Sequence, residues 1–322
     1  MLPSTGPCPP LAHARALVRR ALFALALGAG LAACGGSDDS VASPPPAAPT
    51  APADVADACP ALSLAPGVVA PASATGAYLC AAGIGVTDLT AAVNFYKALG
   101  LREKARLTRA DREEVVLASA DGRGSHLVLF RHADGVSRDY RQNPGKLVFY
   151  VKDAAAFGAS LVAAGGTLTS PPAPYQGRLV GFGRDLDNNL VEIASDAAAR
   201  HSYLSAVGVG VSDLEAARAF YVDALDMKVL AKLTVAKPDG AGGTTPWYDE
   251  YILQSSAGKG AAVVLMHYTD GSAKVYADRP VKLSWRVDDP VTYAARIAGA
   301  GKPVVSAPAR ATDVSLGGVT VG

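Results

Sequence analysis

One feature limits this chain more than any other: it repeats itself. The stretch Gly83 to Leu101, GIGVTDLTAAVNFYKALGL, returns as Gly208 to Met227, GVGVSDLEAARAFYVDALDM. Asp88 maps onto Asp213 with an offset of 125. After small insertions, Glu114 maps onto Glu250, Leu129 onto Leu265, Asp134 onto Asp270 and Lys146 onto Lys282, each with an offset of 136. Each copy reads as an apolar strand, an Asp placed to cap a helix, an amphipathic helix carrying Phe-Tyr, and a turn into another strand.

Within the first half, alternation and turn residues predict a strand over 78–86 and a helix over 89–99 stopped by Gly100. Strands follow over 102–107, 113–119 and 126–132. A second unit opens with a strand over 146–151 and a helix over 154–164 capped by Asp153. It closes with strands over 166–169, 177–182 and 190–194. The unit is βαβββ, used twice in each half. In the second half AKPDGAGGTTP lengthens one loop into a candidate lid or entrance, and Pro290 follows Asp289 at the first helical position. The register leaves no counterpart for the strand NNLVEIAS beyond Gly322, so the fourth unit is one strand short. Either another segment closes that sheet edge, or the edge is open, or the sequence is a truncated reading frame.

The residues before the repeat predict an address rather than a fold. Arg15, Arg19 and Arg20 precede an apolar run from Ala21 to Ala33 that is too short to span a bilayer of ~30 Å. Leu31-Ala32-Ala33-Cys34 resembles a bacterial lipoprotein signal, which implies lipidation of Cys34; the alternative is an ordinary secretory signal cut near Ala33. Residues 34–76, rich in Pro, Ala, Ser and Gly, read as a semi-extended tether. The expectation is export and lipid anchoring to the cell envelope. Cys59 and Cys80 then sit in an oxidising compartment. A disulfide between them would close a loop of about 20 residues and contribute ~3 kcal/mol. The alternative is that Cys80 is a thiol on the apolar strand face with Ala82, Ile84 and Val86. With 30 basic and 29 acidic residues and no Lys/Arg cluster, no nucleic-acid partner is expected.

The strand with V-x-D-L, the helix with FY and LGL, and the later D-x-D-N-N-L-V-E resemble the vicinal oxygen chelate superfamily, which includes glyoxalase I, bleomycin-resistance proteins and extradiol dioxygenases. The resemblance implies an α+β fold of two domains, residues 77–198 and 199–322. Each is built of paired βαβββ modules curled around a cavity. It also implies where a divalent metal would be held. In the first half those positions are Ala81, Val128, Lys146 and Glu192; in the second they are Ala206, Val264 and Lys282, with a fourth past Gly322. Alanine and valine cannot coordinate, and lysine opposes a cation. No cofactor is therefore expected, and Glu192 is the one residue that could serve as a metal ligand.

His126 and His132 are about 20 Å apart along one strand, too far to share an ion, and are expected at an edge or rim. Lys146 either pairs with Glu192 in the cation's place or is exposed at its strand's start. Lys282 has no expected carboxylate partner and is either solvated or available to an anion, with Arg286 on the same face. The leading expectation is metal-independent binding of a small molecule in a cavity lined by Val128, Phe130, Tyr150 and their counterparts. The alternatives are a metal-dependent lyase or ring-cleaving dioxygenase, and a structural or interaction lipoprotein.

Overall fold

The structure, a computed structural model, describes residues 76–239, 243–276, 281–310 and 320–321. The signal segment, Cys34, Cys59 and the tether up to residue 75 lie outside the described residues, and the proposed Cys59–Cys80 bridge with them. The first unit is β1 (Tyr78–Gly85), α1 (Leu89–Ala98), β2 (Arg102–Thr108), β3 (Arg112–Ala118) and β4 (His126–His132). The second is β5 (Lys146–Val151), α2 (Ala154–Ala163), β6 (Thr167–Tyr175), β7 (Arg178–Arg184) and β8 (Leu190–Ser195). The third is β9 (Tyr203–Gly210), α3 (Leu214–Asp223), β10 (Met227–Pro238), β11 (Thr244–Ser255) and β12 (Ala262–Tyr268). The fourth holds β13 (Val281–Arg286), α4 (Pro290–Gly299) and a short pair, β14 (Ala309–Arg310) with β15 (Thr320–Val321).

The four described helices all start the same way. Asp88, Asp153, Asp213 and Asp289 sit in extended backbone at the N-cap, and each accepts hydrogen bonds from amides of the first turn. Each such cap contributes on the order of 1 kcal/mol by satisfying donors that the helix leaves unpaired.

The sheets do not respect the midpoint of the chain. An eight-stranded sheet runs β10-β11-β12-β9-β5-β8-β7-β6, and a five-stranded sheet runs β13-β1-β4-β3-β2. The second and third units are joined by the antiparallel pair β5·β9, and the first and fourth by the antiparallel pair β1·β13. One face of each sheet is covered by helices. That layer forms the main core, with Ile84, Phe95, Tyr96, Leu129, Phe149, Leu161, Ile193 and Leu265 all buried. The opposite, inner faces carry two separate clusters. One is Ala81, Ala105, Val116 and Val128; the other is Val148, Ala206, Tyr248, Val264 and Met266. Ser125 ties the sheets together, donating to the Leu79 carbonyl (2.6 Å) and accepting from the Ala261 amide (2.8 Å).

Two sequence expectations change here. Strict alternation would put Cys80 with Ala82, but the β1·β13 register skips Cys80, leaving a bulge between Leu79 and Ala81. Two residues then oppose one, and the half-buried Cys80 packs with Ala81 on the inner face. β9 carries the same skip, at Ser205. The insertion before Trp247 lengthens a hairpin instead of a loop, since β10 and β11 stay paired out to Pro238 and Thr244.

The turn DLDNNL is a clasp between the first two units. Asp185 accepts from Tyr96 Oη (2.6 Å) and from Asn189 Nδ2 (3.0 Å), and Asp187 accepts from Thr87 Oγ1 (2.6 Å). Asn188 takes the left-handed backbone that the turn requires, with φ +66°.

Candidate functional site

The inner faces hold two versions of one site. On the eight-stranded sheet, Lys146 opens β5 between β9 and β8. Its ammonium lies 2.9 Å from Glu250 on β11 and 3.0 Å from Glu192 on β8, with the Tyr248 ring 5.4 Å away. The side chains of Lys146 and Glu250 are only 4% and 5% exposed. Burial disfavours the charged ammonium, but the two carboxylates outweigh it and hold the Lys146 pKa well above its usual value. Glu250 moves the other way for an acid. Desolvation raises it, helped by the like charge of Glu192 and opposed by Lys146. Two carboxylates share one ammonium, so the cluster has one negative charge to spare.

Lys146 reaches this position because Gly208 has no side chain. A Cβ there would overlap Lys146 Cγ and stand 2.7 Å from Met266 Sδ. The first glycine of the second repeat copy is thus a requirement of the ion pair as well as of the strand. Aromatic groups crowd the rest of the face: Tyr248 against Tyr268 at 5.4 Å, Tyr248 against Trp247 at 4.9 Å, and Trp247 against Phe182 at 6.5 Å. Tyr150 lies under Arg178, 4.7 Å from its guanidinium.

On the five-stranded sheet Lys282 takes the place of Lys146, and Glu114 that of Glu250. Sequence alone offers Lys282 no carboxylate partner; the structure supplies one, a correction to that expectation. Its ammonium lies 2.7 Å from Glu114 on β3, because β13 joins the first unit's sheet and not a sheet of its own half. Where the first cluster has Tyr248, this one has Arg112, 2.5 Å from Glu114; Arg112 also meets the largely exposed Asp111 at 2.7 Å. Burial works to raise the Glu114 pKa, but hydrogen bonds from Lys282 and Arg112 prevail and lower it. No described strand lies where β8 brings Glu192. Lys282 and Arg112 are 34% and 29% exposed.

His126 is a second correction. It lies buried on β4, an internal strand between β1 and β3, and so is no rim residue. Desolvation and the nearby Lys104 charge lower its pKa to about 4, which keeps it neutral at pH 7. His132 is partly exposed, its ring edge-on to Phe130 at 5.5 Å. Val128, Phe130 and Val264 are buried, Tyr150 and Arg286 partly so. Glu114, Glu250 and Arg112 were missed as site residues. The shared offset of 136 was a signal for the first two, since it is the offset that also links the two lysines.

The donor set does not suit a catalytic divalent ion. In both clusters a lysine ammonium stands among the carboxylates, the metal-side positions on β1, β4, β9 and β12 are Ala81, Val128, Ala206 and Val264, and a cation entering either cluster would face a fixed positive charge. Among the described residues, no three His, Cys, Asp or Glu side chains come together in a way that could hold an ion.

Paired βαβββ modules that share curled sheets across the two halves of a chain define the class of fold. The chain belongs to the Glyoxalase/Bleomycin resistance protein/Dioxygenase superfamily, whose family model matches residues 79–193 and again 203–316. Among solved structures it resembles glyoxalase I from Zea mays, with a TM-score of 0.58 and 20% identity over 73% of this chain and 83% of that one. A point mutant of the same maize enzyme gives a TM-score of 0.60 at 20% identity, covering 73% of this chain and 85% of the other. At this identity the likeness shows the fold alone. No curated protein matches the chain.

Proposed function

We propose that this protein is an exported, membrane-tethered binder of a small organic anion that works without metal, through the inner face of the five-stranded sheet. The observation that carries the reading is the charge of the Lys282 cluster. Lys282 and Arg112 share the one buried carboxylate, Glu114, while the second acid, Asp111, is 62% exposed and screened by solvent, so at the buried end of the cluster cations outnumber acids on a surface that solvent reaches. An anion docking there gains hydrogen-bonding cations that are already held in place, so little ordering is needed on binding. Around them Ala81, Ala105, Val116, Val128 and Phe130 offer an apolar wall, suited to a carboxylate with a hydrocarbon body. The buried Lys146 cluster holds its cation internally and serves as a structural plug. Export and tethering rest on Arg15 to Cys34 and the Pro-rich stretch behind it.

The test is thermal unfolding and titration calorimetry with hexanoate and benzoate, alongside magnesium, zinc, nickel and manganese ions. The carboxylates should raise Tm in a saturable way, through preferential binding to the folded state, and Lys282→Met should abolish the effect. Stabilisation by a divalent ion with none by the carboxylates would overturn the reading in favour of a metal-dependent enzyme, an alternative that the glyoxalase I structures sharing the fold keep in view.

A further inference from the structure

A cavity of about 300 Å³ lies outside both lysine clusters, where the end of α1, the start of α2 and the chain entering β9 meet. Its floor is apolar, with Leu99 and Phe157 buried. Its rim is basic. Lys152, Arg200 and His201 line it, all exposed, and among the described residues none of these three side chains has a hydrogen-bond or ion-pair partner. The acid in the lining, Asp153, already accepts from the Ala156 amide as the cap of α2. Lys152 and Arg200 outnumber it even with the imidazole left uncounted. Ser160 and Ser202 add hydroxyl groups.

The second half builds the same junction without these properties. By the offset of 136, Asp288 stands for Lys152, Tyr293 for Phe157 and Arg296 for Ser160. Arg296 donates to the Asp223 carbonyl (3.0 Å) and Tyr293 Oη to the Leu225 carbonyl (3.2 Å), so both side chains bridge α4 to the end of α3. Gly76 replaces His201 by the offset of 125, and it lies against Asp226. One copy of the junction is therefore bridged and acidic, whereas the other is open and ringed by cations. Like charges lining one small cavity repel one another, and the fold gives these no internal counter-charge beyond Asp153.

We propose that this cavity binds the phosphate group of a small phosphomonoester. A dianion relieves the repulsion among the rim cations. Guanidinium, ammonium and hydroxyl donors together match its several oxygens, more than a single carboxylate would use. Leu99 and Phe157 give a short organic body an apolar floor, and the volume is at the small end for ligand pockets. The phosphate can come from a free small molecule or from a lipid headgroup. The site is separate from Lys282 and does not depend on the anion binding proposed there.

The test is titration calorimetry of the full protein with inorganic phosphate and glycerol 3-phosphate in about 0.1 M salt, with hydrogen exchange as a second readout. Glycerol 3-phosphate should bind one-to-one with Kd below about 1 mM and slow exchange in residues 152–160. The double variant Lys152→Ala, Arg200→Ala should weaken it at least about tenfold. Both side chains are exposed, so this variant should keep the wild-type Tm and its stabilisation by hexanoate. Vesicles containing phosphatidic acid that protect 152–160 in wild type alone, without binding of either soluble phosphate, would support the site with a lipid headgroup as the source. No saturation by glycerol 3-phosphate up to about 10 mM together with no protection by vesicles overturns the proposal. Equal affinity in the double variant also overturns it, as does loss of binding in Lys282→Met, which would place the phosphate at the other cationic face.

Discussion

Lys146 and Lys282 sit at matching places in two copies of one scaffold, and their surroundings differ in charge and in burial. Lys146 has two carboxylates, Glu192 and Glu250, an aromatic lining and almost no solvent. Lys282 shares one carboxylate, Glu114, with Arg112, and a third of its side chain is exposed. Glu250 is therefore pushed up in pKa and Glu114 pulled down, although the two are equivalent by sequence offset. A duplicated backbone fixes where a side chain starts, whereas the neighbours brought by other strands fix what its charge does. One copy has become a buried ion cluster that holds β5, β8 and β11 together; the other keeps an open cationic face.

The sharpest way to break this contrast is to remove each ammonium in turn. Lys146→Met should destabilise the fold by about 3–5 kcal/mol in denaturant unfolding, because it strands the buried Glu250 and the partly buried Glu192 without their cation. The triple change Lys146→Met, Glu192→Leu, Glu250→Leu should recover most of that loss, since replacing a whole buried ion cluster with apolar groups is often neutral or better. Lys282→Met should cost roughly 1–2 kcal/mol, because Glu114 keeps Arg112. Equal losses at the two lysines would sink the distinction between plug and open site.

A smaller contrast is expected at the glycines. Gly208→Ala drives a Cβ into Lys146 Cγ and should cost about 1–3 kcal/mol; at Gly83 the nearest atom is Lys282 Cβ at 3.1 Å, and the alanine should cost less than about 1 kcal/mol. Thermal unfolding of the two variants decides it.

The finest test is pH. Glu114 has a lowered folded pKa, so its contribution is present above its ordinary value of 4.5 and is lost as pH falls through the folded value. Glu250 has a raised one, so its contribution is fullest below 4.5 and is lost as pH rises through the folded value. The stability difference between wild type and Glu114→Gln should shrink on acidification below pH 4.5, and that between wild type and Glu250→Gln should shrink as pH rises above it. Slopes of the same sign would show that the two carboxylates share one environment.

Much of the fold was legible in the chain. Period-two alternation and the Asp caps placed β1 to β5, α1 and α2 within a residue or so, because both signals are local. Sequence also brought Lys146 and Glu192 under consideration together, and the structure sets them 3.0 Å apart. Other features were out of reach for physical reasons. The bulge at Cys80 is set by pairing with β13, roughly 200 residues away, and it moves a side chain across the sheet. The burial of His126 depends on strands flanking β4 on both sides. The Glu114–Lys282 and Glu250–Lys146 contacts cross between the halves, so reading each half by itself left Lys282 without an acid.

The sequence alone determined the duplicated unit, the helix starts, and the replacement of expected metal-side ligands by Ala81, Val128, Ala206 and Val264, since these depend on residue identity and short-range geometry. Only the tertiary structure decided which units share a sheet. That choice rests on strand edges meeting across long loops, and it is what gives Lys146 two carboxylates and Lys282 one.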